Sequence, residues 1–229
     1  MRISKTSLIV YFFCCILATI SSIFDYNALL LVSFPLIIPS LSFYYFINTK
    51  KINYLLCLYL FFNFVGDSVG LMNFKDEIYY ILIPFFLGNI ILIIILMQHF
   101  EKFKFKVINV ISIIIVVGIL IFLWNSIMDI FYFYEDGLRL RIFIFAIPMF
   151  LVTFLASYNL IWRINYANLF LFMAISCLLI SDMFYVIYNF QIQVYILNVL
   201  HFIAQILSYF FIVKYILLRE DLKKIIYEK

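Results

Sequence analysis

Long apolar runs separated by short polar breaks dominate the chain. A helix needs roughly 20 apolar residues to cross about 30 Å of hydrocarbon. Runs of that kind occupy residues 7–24, 28–47, 54–73, 78–97, 107–127, 141–159, 168–189 and 194–217. Between them lie Asp25-Tyr26-Asn27, Asn48-Thr49-Lys50-Lys51, Lys75-Asp76-Glu77, Gln98 to Lys106, Asp129 to Arg139, and Arg163-Ile164-Asn165. The break around Gln191 carries no charge, so the last two runs are the least sharply divided. Apolar and polar positions do not alternate, which selects helices over the strands of a membrane barrel. The pattern predicts an all-α membrane bundle of eight transmembrane helices forming one domain over residues 1–229.

Arg2 and Lys5 precede the first run as they would in a signal peptide. That run is long for a signal sequence, and Ala18-Thr19-Ile20-Ser21-Ser22 offers no clean cleavage site, so a retained helix is expected. With eight spans, one side holds Arg2, Lys5, Lys50, Lys51, Lys102, Lys104, Lys106, Arg163 and the basic residues from Lys214 onward. The other side holds only Lys75, Arg139 and Arg141. Such a bias puts both termini in the cytoplasm, with the plasma (inner) membrane of a bacterium as the expected location. The basic tail from Lys214 to Lys229 is expected on the anionic inner leaflet surface.

Composition closes off several classes. The chain is 68% hydrophobic and 12% charged, whereas a soluble domain is about half apolar and a quarter charged. Its net charge of +4 is dispersed through short loops, which argues against nucleic acid. Cys14, Cys15, Cys57 and Cys177 all fall inside apolar runs without CxxC spacing or a nearby histidine set. They read as buried thiols, and neither a disulfide nor a metal is expected. The abundant Phe and Tyr suit lipid contact and interfacial anchoring, so they imply no cofactor. Soluble-enzyme signatures such as G-x-G-x-x-G, H-E-x-x-H and G-x-S-x-G are absent.

Asp67 and Asp182 are the two acidic residues that fall inside spans. An ionisable group there costs about 2.5–3.5 kcal/mol on insertion scales, so it normally faces the bundle interior and has a use. A plain interhelical hydrogen bond is the alternative, worth about 0.6 kcal/mol on average. Counting along the predicted spans puts both acids roughly 10 Å below the outer hydrocarbon boundary. His201 falls near the same depth and Gln205 one turn deeper on the same face. Asn89 falls near the depth of Gln205, and Asn63 lies one turn before Asp67. These residues form one polar stratum on four predicted helices.

A weak internal symmetry agrees. Aligning Val65-Gly66-Asp67-Ser68-Val69 with Ile180-Ser181-Asp182-Met183-Phe184 pairs the third span of each half, and an amide follows each acid on the next span. Two four-helix repeats would set the acids across an axis along the membrane normal.

Four segments carry a family likeness: Gly66 to Met72, Pro84-Phe85-Phe86-Leu87-Gly88-Asn89, Leu178 to Asp182, and His201-Phe202-Ile203-Ala204-Gln205-Ile206-Leu207. As an ordered set, and in a chain of this length, they resemble the YhhN family of lysoplasmalogenases. The chain departs from that pattern at Asn89, where the family has a histidine soon followed by tyrosine. It also departs at Phe34-Pro35, where the family has Lys-Pro, and at His201, where an aromatic is usual. The resemblance implies hydrolysis of the vinyl ether bond of a lysoplasmalogen, a lysophospholipid-type membrane lipid, to a fatty aldehyde and a glycerophospho-alcohol. Asp67 and Asp182 would be the catalytic pair, one protonated and one ionised, by the logic of paired carboxyls. Their individual roles stay interchangeable. Asn63, Asn89, Ser181, His201 and Gln205 would position water or substrate. No cofactor is implied. Alternatively, the same two acids serve a proton- or ion-coupled carrier of a small amphiphile, or only join helices in a structural protein.

Overall fold

The computed structural model describes residues 2–24, 26–72, 77–100, 106–132, 134 and 136–227. Among them are nine α-helices and no strands: α1 Arg2–Ile23, α2 Asn27–Ser33, α3 Ile37–Asn48, α4 Tyr54–Gly70, α5 Glu77–Met97, α6 Val107–Ile130, α7 Asp136–Trp162, α8 Tyr166–Phe190 and α9 Tyr195–Tyr227. Seven helical segments are long and apolar enough to cross a membrane, with α2 and α3 together making one; the 17-residue α4 is a shorter apolar helix. The protein is a multi-pass integral membrane protein.

The second predicted run is one membrane-length segment, Asn27–Asn48, in which a turn divides α2 from α3. Residues 34–36 form turns between α2 and α3. Pro35 has no N–H to donate, and Pro39 removes the bond that would otherwise reach the carbonyl of residue 35. The backbone compensates with a tighter bond from Ile37 N–H to the Phe34 carbonyl at 3.1 Å. Phe34 itself is buried, edge-on to Phe202 of α9 at 5.1 Å. By contrast Pro84 and Pro148, the mid-span prolines, lie inside unbroken helices.

Several helices outlast the apolar runs, because helical hydrogen bonding continues past the hydrocarbon edge. α7 starts at Asp136, which sits at the helix N-terminus and pairs with Arg139 at 2.7 Å. Helix α9 runs on to Tyr227 as one 33-residue helix, so the predicted tail from Lys214 is helical through that point. Lys214 is half-buried there; its Nζ donates to the Tyr44 hydroxyl at 2.6 Å and lies over the Tyr44 ring. The weakly marked boundary near Gln191 is a true break, with the Tyr134 hydroxyl donating to the Phe190 carbonyl at 2.7 Å. Of the positions used in the charge reading, Lys75, Lys102, Lys104 and Lys229 lie outside the described residues, as do Asp25 and Asn73.

Two tight pairs, α4 with α5 and α8 with α9, form the middle of the bundle. Helix α5 also packs on α7 and α3 on α9, while α1 covers α2 and α3. Small residues permit the α4–α5 approach. A Cβ on Gly66 would meet the Phe85 ring at 2.9 Å, and one on Gly88 would meet Asn63 Nδ2 at 3.1 Å. Helix α6 lies at the edge against α7, with Ile127 its one buried residue. An apolar helix so little covered by protein suits a lipid surround.

Candidate functional site

A cavity of about 810 Å³ opens at one end of the bundle. Its walls come from the C-terminal parts of α1, α4, α6 and α8 and the N-terminal parts of α2, α5, α7 and α9. These parts all belong to the face carrying the α1–α2, α4–α5, α6–α7 and α8–α9 connections. Apolar side chains such as Leu30, Phe85 and Met149 make most of the wall, and Ser21, Ser22, Asn27, Asn189 and Asn198 add neutral polar groups.

Asp67 lines this cavity from the last turn of α4 and is buried. Gln205 on α9 donates from Nε2 to Asp67 Oδ1 at 2.7 Å. The Tyr209 hydroxyl, one turn further along α9, lies 3.1 Å from Oδ1 and 3.0 Å from Oδ2. Gln205 Nε2 also donates to that hydroxyl at 2.9 Å, which closes a triangle around the carboxyl group. A buried carboxyl group needs such donors, since unmade bonds are costly in low dielectric.

Helix α4 ends at Gly70, three residues after Asp67. Asp67 therefore lies nearer the end of its helix than the roughly 10 Å expected from the span, and Leu71 and Met72 close the last turn through bonds to the Asp67 and Val69 carbonyls. Gln205 lies ten residues into α9, roughly 15 Å along its axis. The contact with Asp67 thus sets the end of α4 about 10 Å short of the start of α9. Gly70 and Leu71 accordingly line the cavity rather than its rim helices.

Asp182 reaches the same cavity from α8, eight residues before its end. Its Oδ2 is enclosed and has no hydrogen-bond partner among the described residues. Asp67 and Asp182 thus share a cavity but not an environment: one is held by two donors, the other is not.

His201 also lines the cavity. Its Nδ1 lies 3.0 Å from the Ser181 carbonyl oxygen and 2.8 Å from Ser181 Oγ, and Ser181 Oγ donates to the His201 carbonyl at 3.1 Å. A carbonyl can only accept, so these bonds select the tautomer with the proton on Nδ1 and leave Nε2 an acceptor. Ser181 is buried behind the histidine and acts on the cavity through it.

Two expected site residues stand apart. Asn63 and Asn89 are both buried, but neither lines the cavity. Asn63 donates from Nδ2 to the Tyr59 carbonyl at 2.8 Å, its own preceding turn. Tyr209 went unnoticed in the sequence, although its signal was present: His201, Gln205 and Tyr209 recur every four residues and mark one helix face.

No cluster of three or more His, Cys, Asp or Glu side chains suited to a metal occurs among the described residues. Comparisons with known protein families, with characterised proteins and with solved structures return no match for this chain.

Proposed function

We propose that the protein is a membrane-embedded hydrolase of the vinyl ether bond of lysoplasmalogens, with Asp67 and Asp182 as its acid–base pair. The observation that carries this reading is the sharing of one cavity by two carboxyl groups with unlike partners. Its volume falls within the roughly 300–1,000 Å³ of small-molecule sites.

The chemistry follows from that difference. A vinyl ether is protonated at its β-carbon, and the electron pair of the double bond forms the new C–H bond. Asp182, free of competing donors, gives that proton. The resulting oxocarbenium ion is stabilised by Asp67, which Gln205 and Tyr209 orient. Water then adds to the cationic carbon and loses a proton to Asp67. Collapse of the hemiacetal breaks the C–O bond; the leaving glycerol oxygen takes the Asp67 proton, and the hemiacetal hydroxyl returns one to Asp182. One water is consumed and both acids are restored. The logic parallels paired-carboxyl glycosidases.

A count of eight spans follows if α4 is added to the seven longer segments. The exchange of neighbours between halves, α5 with α7 and α3 with α9, supports two four-helix repeats. The charge bias supports cytoplasmic termini in a bacterial inner membrane.

One feature favours a carrier instead. The turn at residues 34–36 interrupts the Asn27–Asn48 span and borders the cavity through Phe34, and interrupted spans beside intramembrane acids are common in transporters. Aldehyde release separates the two readings. Purified protein is incubated with lysoplasmenyl-ethanolamine, beside folded Asp67→Asn and Asp182→Asn. Release by the wild type, lost in both variants, is expected. A folded wild type that releases no aldehyde across several headgroups rejects the hydrolase.

A further inference from the structure

The charges lining the cavity have one sign. Among the described residues that form its wall, Asp67 and Asp182 are the only charged ones, and no Lys or Arg is present. Of the two bases on α7, Arg139 is half-buried and paired with Asp136 at 2.7 Å, and Arg141 is exposed; neither belongs to the wall. The remaining polar groups are amides, hydroxyls and the imidazole of His201, which stabilise no particular charge sign strongly. Aromatic residues are dense in the wall, with Phe85, Phe145, Phe150, Phe202, Tyr185 and Tyr195 among its lining. Ring faces attract cations through their quadrupole, more strongly where water is excluded. The carboxyl group of Asp182, whose Oδ2 has no hydrogen-bond partner among the described residues, adds negative charge to this wall.

Among the described residues of this wall, an anionic group would meet two carboxyl groups and no counter-charge, which is costly away from water. A positive group would meet acids and rings together. The apolar remainder of the wall suits one hydrocarbon chain. We infer that the cavity is a binding site for the cationic group of a single-chain amphiphile, seated between the Asp67 and Asp182 side chains and the surrounding rings. The inference rests on the hydrolase reading and deepens it: such a cation has the charge of the oxocarbenium ion and would compete with substrate, whose anionic phosphate would lie toward the open end of the cavity, away from the acid pair. As a statement about binding, it stands without turnover.

The test uses the full chain in nanodiscs of zwitterionic lipid and reads binding by calorimetry. The probe is dodecyltrimethylammonium. Its controls are the isosteric neutral compound with a quaternary carbon in place of nitrogen, and dodecanoate. The wild type is expected to bind the cation at least about tenfold more tightly than the neutral isostere, and dodecanoate more weakly still. Asp67→Asn/Asp182→Asn is expected to lose the preference, which removes membrane partitioning as its cause. Equal binding of cation and neutral isostere by the wild type overturns the inference, whether or not the variant folds. So does a preference that survives in a folded double variant. Cation binding without aldehyde release leaves the inference standing and rejects the hydrolase. Aldehyde release without cation preference does the reverse.

Discussion

Gln205 donates to Asp67 at 2.7 Å, joining α9 to α4 across 138 positions of sequence. This bond sets the depth of the carboxyl group, because it fixes which turn of a long helix stands beside the end of a short one. It also orients the carboxyl group toward the cavity that both residues line.

Replacing Gln205 with Ala should leave the buried Asp67 with Tyr209 as its sole donor. Interhelical bonds of this kind in membranes contribute about 0.6 kcal/mol on average and up to about 1.7 kcal/mol. Gln205→Ala should therefore still fold, with a lower thermal midpoint, while aldehyde release falls at least about tenfold. Thermal unfolding and a rate assay on one preparation check both parts.

Tyr209→Phe should preserve packing and remove the hydroxyl that bridges both Asp67 oxygens. The expected signature is a kcat lowered by about ten- to a hundredfold with KM nearly unchanged. A change confined to KM would place Tyr209 in substrate binding instead.

Ser181→Ala should loosen the hold on His201. The protein has 2 histidines, so the nitrogen spectrum of imidazole-labelled protein resolves both rings. Wild-type His201 should appear as one tautomer protonated at Nδ1, and the variant should keep the carbonyl contact but lose the reinforcing hydroxyl. A partial shift toward the other tautomer is expected. An unchanged spectrum would mean that the carbonyl contact alone holds the ring.

Ala146→Phe tests the cavity without touching any polar group. Ala146 is buried on α7 and lines the cavity. The larger ring should occupy substrate space and abolish aldehyde release, while folding is retained at a cost of about 1–3 kcal/mol. Activity equal to wild type would place the substrate elsewhere.

Much of the architecture was legible without coordinates, for a physical reason. A bilayer demands that backbone polar groups be satisfied within each segment, so apolar length alone implies helices. The same cost makes a membrane carboxyl group conspicuous, which is why Asp67 and Asp182 stood out. Helical periodicity likewise put His201 and Gln205 on one face, and both line the cavity. Depth along a span says nothing about its rotation or its neighbours, and there the linear reading stopped. Asn63 and Asn89 match the required depth, yet they lie buried behind the cavity wall. Packing alone brought Tyr209 onto Asp67, left Asp182 Oδ2 without a partner among the described residues and set Ser181 behind His201. The break at residues 34–36 needed both local and tertiary causes: prolines weaken the helix there, and Phe34 gains a buried seat against Phe202. Membrane solvation therefore selects the helices and their polar exceptions from sequence, whereas contacts between distant helices decide which exceptions meet.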